Sequence, residues 1–265
     1  MNKLLILIAA LLCYVAFALA HESAADIPPR VEVSPGHRLR MRIEGSGSPA
    51  VVLEIGLGGT LEEWAMVQSG VAKFARVAAY DRNGSNYTSQ SSLTARQVAR
   101  DLHEALAKAH IAPPYVLVGQ SFGGIYNRVF AEMYPGDIAG MVLLDAPQEK
   151  FIDWMEIHHP KEGLASFRTE HWPEAAGMRA TLDELKAGGP LPDVPIIVVT
   201  AAGPSRDPLR TEILPVWTAM HEDWVKILPL GRHVITYRSG HGIQVEQPDL
   251  VIELINEVVQ QSHRR

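Results

Sequence analysis

Two patterns alternate along this chain. Short runs are apolar at nearly every position: "AVVLEIG" from Ala50, "RVAAYD" ending at Asp81, "YVLVG" from Tyr115, "GMVLLD" ending at Asp145, and "PIIVVTA" from Pro195 to Ala201. "HVITYR" (His233 to Arg238) continues the series. Between them lie longer stretches whose apolar residues recur at helical spacing. Leu61 to Phe74 carries Leu61, Trp64, Val67, Val71 and Phe74, and Thr94 to His110 carries Val98, Leu102, Ala105 and Ala109 before Pro113-Pro114 stops it. A third helix is expected from Ser121. A last one follows Pro248 with Leu250, Val251, Leu254, Ile255, Val258 and Val259.

Strands apolar on both faces, alternating with amphipathic helices, predict an α/β fold with a mostly parallel sheet covered on both sides. "HRLRMRIE" (His37 to Glu44) instead alternates strictly and reads as an edge strand, followed by a turn over Gly45 to Pro49. The rhythm breaks once. Pro147 to Pro192 has no strand signal but holds Trp154, His158, His159, Phe167, His171 and Trp172. An insertion of that length between two strands is read as a small helical cap over a binding site.

Composition narrows the picture. The 265 residues are 47% hydrophobic and 20% charged, with a net charge of −6 and no Lys/Arg cluster. One large domain with an insertion is expected, and a nucleic-acid partner is not, because phosphate binding needs a basic face. Residues 1–20 read as a secretory signal peptide: Lys3, an uncharged run from Leu4 to Leu19, and Ala18-Leu19-Ala20 before His21. The competing reading is an uncleaved anchor, since the run is nearly long enough to span a bilayer. Cleavage after Ala20 would leave one domain at 21–265 that is exported, to periplasm or medium, with no stable membrane anchor. Cys13 is the only cysteine and lies in this leader, so the mature chain would have no disulfide, thiolate metal site or cysteine nucleophile.

The chemistry gathers at "GQSFGG". Gly119-Gln120-Ser121-Phe122-Gly123 fits G-x-S-x-G directly after a strand and before a helix. Flanking glycines permit a tight turn that lifts the serine hydroxyl to a helix N-terminus, where developing negative charge is favoured. A serine needs a base, and "RSGHGIQVEQPDLV" offers His241 between two glycines just after the last strand. The bland alternatives are an N-cap serine and an ordinary loop histidine.

With "VVLEIGLGG", "AYDRNG", "GQSFGG", "GMVLLDAP" and "GHGIQVEQPDLV" together, the chain resembles an α/β-hydrolase across nearly all of its mature length. The resemblance implies a mostly parallel, roughly eight-stranded sheet with its site at the strands' C-terminal edge. It also implies an oxyanion hole of two backbone amides, those of Phe122 and Leu57, although this loop reads Ile55-Gly56-Leu57 where many relatives read His-Gly. The acid is open between two strand-end aspartates. Asp145 closes "GMVLLD" and is preferred; Asp207 lies in "AAGPSRDP", where relatives more often place the acid but with a longer lead-in here.

The function expected is an exported serine hydrolase cleaving a small to medium carboxylic ester, with neither cofactor nor metal. Alternatives are a lactonase, thioesterase or aminopeptidase on the same triad, or a non-catalytic ligand-binding homologue. Asp81-Arg82 is read as a salt-bridged loop anchor and His158-His159 as cap surface.

Overall fold

The computed structural model describes residues 30–34, 37–82, 93–161 and 173–264. The expected leader with Cys13, and Phe167, His171 and Trp172 of the insertion, lie outside the described residues.

Eight strands are present: β1 (Arg30–Ser34), β2 (His37–Glu44), β3 (Ala50–Glu54), β4 (Val77–Asp81), β5 (Tyr115–Gln120), β6 (Ile138–Leu144), β7 (Ile196–Ala201) and β8 (Gly231–Thr236). They form one sheet in the order β1-β2-β4-β3-β5-β6-β7-β8. The β1/β2 and β2/β4 pairs are antiparallel; the other pairings are parallel.

The edge is therefore not β2 but β1, which pairs Val31 with Leu39. "RVEVS" is only five residues long, too short beside its prolines to stand out from the polar lead-in. Its partner β2 alternates because Leu39 and Met41 are buried while Arg38 faces solvent, so alternation here marks one covered face and not an edge position.

The described helices are α1 (Ala65–Val71, entered through a 3-10 turn at Leu61–Trp64), α2 (Ala95–Lys108), α3 (Gly123–Met133), α4 (Glu149–His158), α5 (Met178–Lys186), α6 (Pro208–Lys226), α7 (Ile243–Glu246) and α8 (Pro248–Ser262). Successive strand residues point to opposite faces. Val51, Leu53, Val116, Val118, Val142 and Leu144 join a core under α1 and α8. Their neighbours Val52, Leu117, Met141 and Leu143 join a second core with Leu102, Phe130 and Trp224 from α2, α3 and α6. The helices thus lie on both faces, as the apolar runs require.

The strand order locates the site. From β3 the chain moves to one side to form β4, then crosses back to form β5 on the other side of β3. The carboxyl ends of β3 and β5 flank this switch point, where the crevice of an open α/β sheet binds ligands. Glu54 is paired with Gly119 in register, so the loop after β3 and the turn after β5 emerge side by side. Helices α4 and α5 belong to the stretch between β6 and β7.

Candidate active site

Ser121 occupies the tight turn between β5 and α3 with φ +52, a left-handed value that costs a non-glycine residue energy. The surroundings hold it there. Its amide donates to Leu144 O at 2.9 Å, extending the ladder to β6 by one bond, and its carbonyl accepts from Gly124 N at 2.9 Å. Glycines are obligatory for close approach: a Cβ on Gly123 would stand 2.5 Å from Glu54 O, and one on Gly119 would stand 2.7 Å from the Gly124 Cα.

Asp145 follows β6 with φ +45 and is completely buried. Its amide donates to Val199 O at 2.7 Å. Oδ2 receives Nδ1 of His241 at 2.7 Å and Arg210 Nη2 at 2.8 Å. Oδ1 receives Trp217 Nε1 at 2.8 Å, Arg210 Nη2 at 3.0 Å and Ala201 N at 3.1 Å. Burial alone would push this carboxyl up. The His241 hydrogen bond and charge, the Arg210 guanidinium and the Ala201 amide outweigh it and hold Asp145 below the usual carboxylate range. An ionised carboxylate only accepts, so His241 must carry its proton on Nδ1, leaving Nε2 with a free lone pair.

His241 sits in the loop after β8 with its side chain about half exposed, and Gln120 Nε2 donates to its carbonyl at 3.1 Å. Ser121 and His241 line one cavity of about 480 Å3, though among the described residues no hydrogen bond joins the two side chains. Such contacts are often long before substrate arrives and tighten with it.

Asp207 is elsewhere. It caps α6, with its Oδ1 accepting Leu209 N at 3.0 Å, and is exposed. The structure therefore brings Asp145, and not Asp207, to His241.

Leu57 and Phe122 both line the cavity. Its other walls are largely apolar, with Phe151, Ile152 and Met155 of α4, Met178 of α5 and Trp217 of α6, while Glu63 adds one carboxylate. His158 is exposed on α4 and its ring stacks on Trp154 at 4.7 Å. Among the described residues no group of three His, Cys, Asp or Glu side chains could hold a metal ion.

Asp81 accepts Leu61 N at 2.6 Å and pairs with Arg40, anchoring the loop before α1. Arg82 goes further than an anchor on the surface: it is buried between Glu54 and Glu174. Burial pushes the Glu54 carboxyl up to about 7, against the pull of Arg82 and with Glu174 adding to the rise. Sequence reasoning did not single out Glu54, Glu174, Arg210 or Trp217. A charged residue inside "AVVLEIG" was a signal for the first, and the seven-residue spacing of Arg210 and Trp217 puts both on one face of α6.

A family model described as the alpha/beta hydrolase fold matches residues 49–161. A thermophilic esterase from Thermogutta terrifontis superposes with a TM-score of 0.61 at 20% identity, over 89% of this chain and 99% of that one. This chain has the α/β-hydrolase fold. A second neighbour, the enol-lactonase from Burkholderia xenovorans LB400, gives a TM-score of 0.62 at 18% identity, over 88% of this chain and all of that one. By sequence, the chain is 27% identical to the uncharacterized protein YqjL of Bacillus subtilis (strain 168) across 81% of its own length and 85% of the relative. It is also 27% identical to the putative carbamate hydrolase RutD of Cronobacter turicensis, over 40% of this chain and 42% of the relative.

Proposed function

We propose that this α/β-hydrolase is a serine hydrolase cleaving a small to medium carboxylic ester through an acyl-enzyme. One observation carries the reading. His241, oriented by a buried and ionised Asp145 at 2.7 Å, shares an apolar cavity with a serine held in a strained strand-to-helix turn.

Each role follows from the chemistry of its atoms. Ser121 Oγ attacks the ester carbonyl while His241 Nε2 takes its proton; the new C–O bond forms as the carbonyl π pair moves onto oxygen. The Leu57 and Phe122 amides receive that oxyanion in this reading, a contribution of roughly 3 kcal/mol per donor in comparable sites. Collapse of the tetrahedral intermediate expels the alcohol, which takes the proton from His241. Water then attacks the acyl-enzyme with His241 again as base, releasing the acid and Ser121. Asp145 holds the imidazole in the required tautomer and stabilises its protonated form.

Apolar walls favour a neutral alkyl or aryl ester over a charged one. The stretch from Pro147 to Pro192, with α4 and α5, acts as the cap that shapes this pocket. The names of the solved neighbours, an esterase and an enol-lactonase, both denote ester-type substrates and support the class. The reading includes export through the leader at 1–20, so the exported protein should begin at His21. N-terminal sequencing that finds Met1 retained would favour an anchored form.

The decisive experiment is labelling with a fluorophosphonate, followed by p-nitrophenyl esters of increasing chain length. The wild-type protein should label and turn over the esters, and Ser121→Ala should do neither. Labelling that persists in Ser121→Ala would remove Ser121 from the mechanism.

A further inference from the structure

An arginine with a relative exposure of 2% stands directly behind the loop that carries Leu57. Arg82 leaves the end of β4 and turns inward rather than toward solvent. Its Nε donates to Glu174 Oε1 at 2.8 Å, and its Nη1 donates to Glu54 and to the carbonyl of Ile55. Its Nη2 donates to the carbonyl of Gly56 at 2.6 Å. The Tyr126 ring lies under the guanidinium, 4.8 Å from its centre. Glu174 also reaches the same loop, its Oε2 accepting Gly58 N at 2.9 Å.

Three backbone groups around Leu57 are therefore gripped by one ion cluster: the carbonyls of residues 55 and 56 and the amide of residue 58. The Gly56 carbonyl and the Leu57 N–H belong to a single peptide unit, which is trans. In a trans peptide the C=O and N–H point in opposite directions within one plane. A guanidinium fixed on the Gly56 oxygen thus dictates where the Leu57 hydrogen points, away from Arg82. A cation on the carbonyl also draws electron density through the amide and makes its N–H a stronger donor. The second amide has a neutral counterpart, since Gly124 N holds the Ser121 carbonyl, which shares a peptide with Phe122 N–H.

Stability is a poor reason for this arrangement. Burying three ionisable groups carries a desolvation penalty that an apolar cluster of the same volume would avoid, and such replacement is often neutral or stabilising. A planar fork that can reach two carbonyls and two carboxylates at once is what the geometry uses, and lysine cannot supply it.

We propose that Arg82 is a positioning residue for the oxyanion hole: it orients and polarises the Gly56–Leu57 peptide, and Glu174 completes the clamp through Gly58. Because Glu174 belongs to the stretch between β6 and β7, the clamp ties that insertion to the oxyanion loop. The inference rests on the reading of Ser121 and the Leu57 and Phe122 amides given above.

The test compares wild-type protein with Arg82→Lys and Glu174→Leu, using a neutral p-nitrophenyl ester and an alkyl trifluoromethyl ketone, whose adduct with a serine places an oxyanion in the hole. Loss of one donor outright costs about 10²–10³ in kcat. Misdirecting it should cost roughly ten- to a hundredfold, with KM changed less than about threefold. The ketone should weaken by the same factor as kcat/KM, the pH profile should keep its shape, and Glu174→Gln, whose single amide oxygen can accept from Gly58 or from Arg82 but not from both, should recover part of the loss seen in Glu174→Leu. Should Arg82→Lys fail to fold, the charge-matched pair Arg82→Met with Glu54→Gln carries the same measurement. Folded variants with wild-type kcat and unchanged ketone affinity would overturn the proposal. A wild-type protein that neither labels with fluorophosphonate nor binds the ketone overturns the serine-hydrolase reading, and this inference with it.

Discussion

The imidazole of His241 meets the carboxylate of Asp145 at 2.7 Å, although the two residues are 96 positions apart in the chain. One partner is fully buried and the other about half exposed. The carboxylate is also held by Arg210, Trp217 and the Ala201 amide, so the histidine is oriented by an acceptor that is fixed on its other sides.

That contact separates the two candidate acids. Asp145→Asn presents an amide where an ionised acceptor is needed and favours the wrong imidazole tautomer, a change that lowers kcat about 10⁴-fold in serine proteases. A loss of that order is expected here. Asp207→Ala should remove only a helix cap, about 1 kcal/mol of stability, and leave kcat within about tenfold. Both must be compared at equal folded fraction, because Asp145 also satisfies buried donors. A severe Asp207 variant beside an active Asp145 variant would reverse the assignment.

The φ of +52 at Ser121 predicts a divergence between activity and stability. Ser121→Ala and Ser121→Gly should both lose turnover by about 10⁶, as when a triad serine is removed. Only glycine adopts this backbone conformation without a Cβ penalty of roughly 1–2 kcal/mol. Ser121→Gly should therefore melt at a higher temperature than Ser121→Ala. Equal melting temperatures in calorimetry would mean that the turn holds no such strain.

His221 predicts a pH-dependent stability. It is buried behind Asp145, with Nε2 on the Ala146 carbonyl at 2.8 Å and Nδ1 on Thr200 Oγ1 at 2.7 Å, while His233 Nε2 reaches the same hydroxyl at 2.7 Å. Trp217 and Trp224 pack against its ring. Burial pushes its pKa down from 6.5 to about 4; the Ala146 carbonyl and the Asp145 charge oppose that fall, while His233 and Arg210 add to it. A histidine depressed in the folded state contributes stability that is present above its unfolded pKa of 6.5. That contribution is lost as pH falls toward about 4, and it amounts to something on the order of 3 kcal/mol. Glu54 works in the opposite sense, its contribution being complete below about 4.5 and lost as pH rises through about 7. The expected observation is therefore a difference: in urea titrations, the gap between wild type and His221→Gln should narrow steadily from pH 7 to pH 4.5. A gap independent of pH would contradict a buried neutral His221.

The cavity predicts substrate preference. Its walls are apolar apart from Glu63 and a few polar groups, so a hemisuccinate ester should be hydrolysed more slowly than its neutral isostere, and Glu63→Gln should narrow that difference. Met155→Ala enlarges the pocket beside α4. Each further methylene that it then accommodates should gain up to about 0.8 kcal/mol, about fourfold in kcat/KM. The chain-length optimum should shift toward longer acyl groups by kinetics on a p-nitrophenyl series. An unchanged optimum would place the acyl chain elsewhere.

What the sequence determined by itself is what neighbours in the chain decide. Apolar runs of strand length, helical spacing between them, and glycines crowding Ser121 are local steric and hydrophobic facts, and they sufficed for the fold class, the strand-to-helix turn and the position of His241 after the last strand. A short strand such as β1 left no such mark, because five alternating residues beside prolines look like lead-in until a partner strand is known. The tertiary structure alone decided which charges meet. Asp145 and Asp207 both follow strands, and only the placement of β6, β7 and α6 delivers one to the imidazole and makes the other a helix cap. Likewise Arg82 read as a loop anchor, since nothing local reveals that Glu54, 28 residues before it, and Glu174, 92 residues after it, converge on its guanidinium. Packing of apolar side chains is satisfied by any neighbour of the right size, so its pattern is written along the chain. Pairing of buried charges requires particular partners, and those are chosen by where the strand order of the sheet places each strand end.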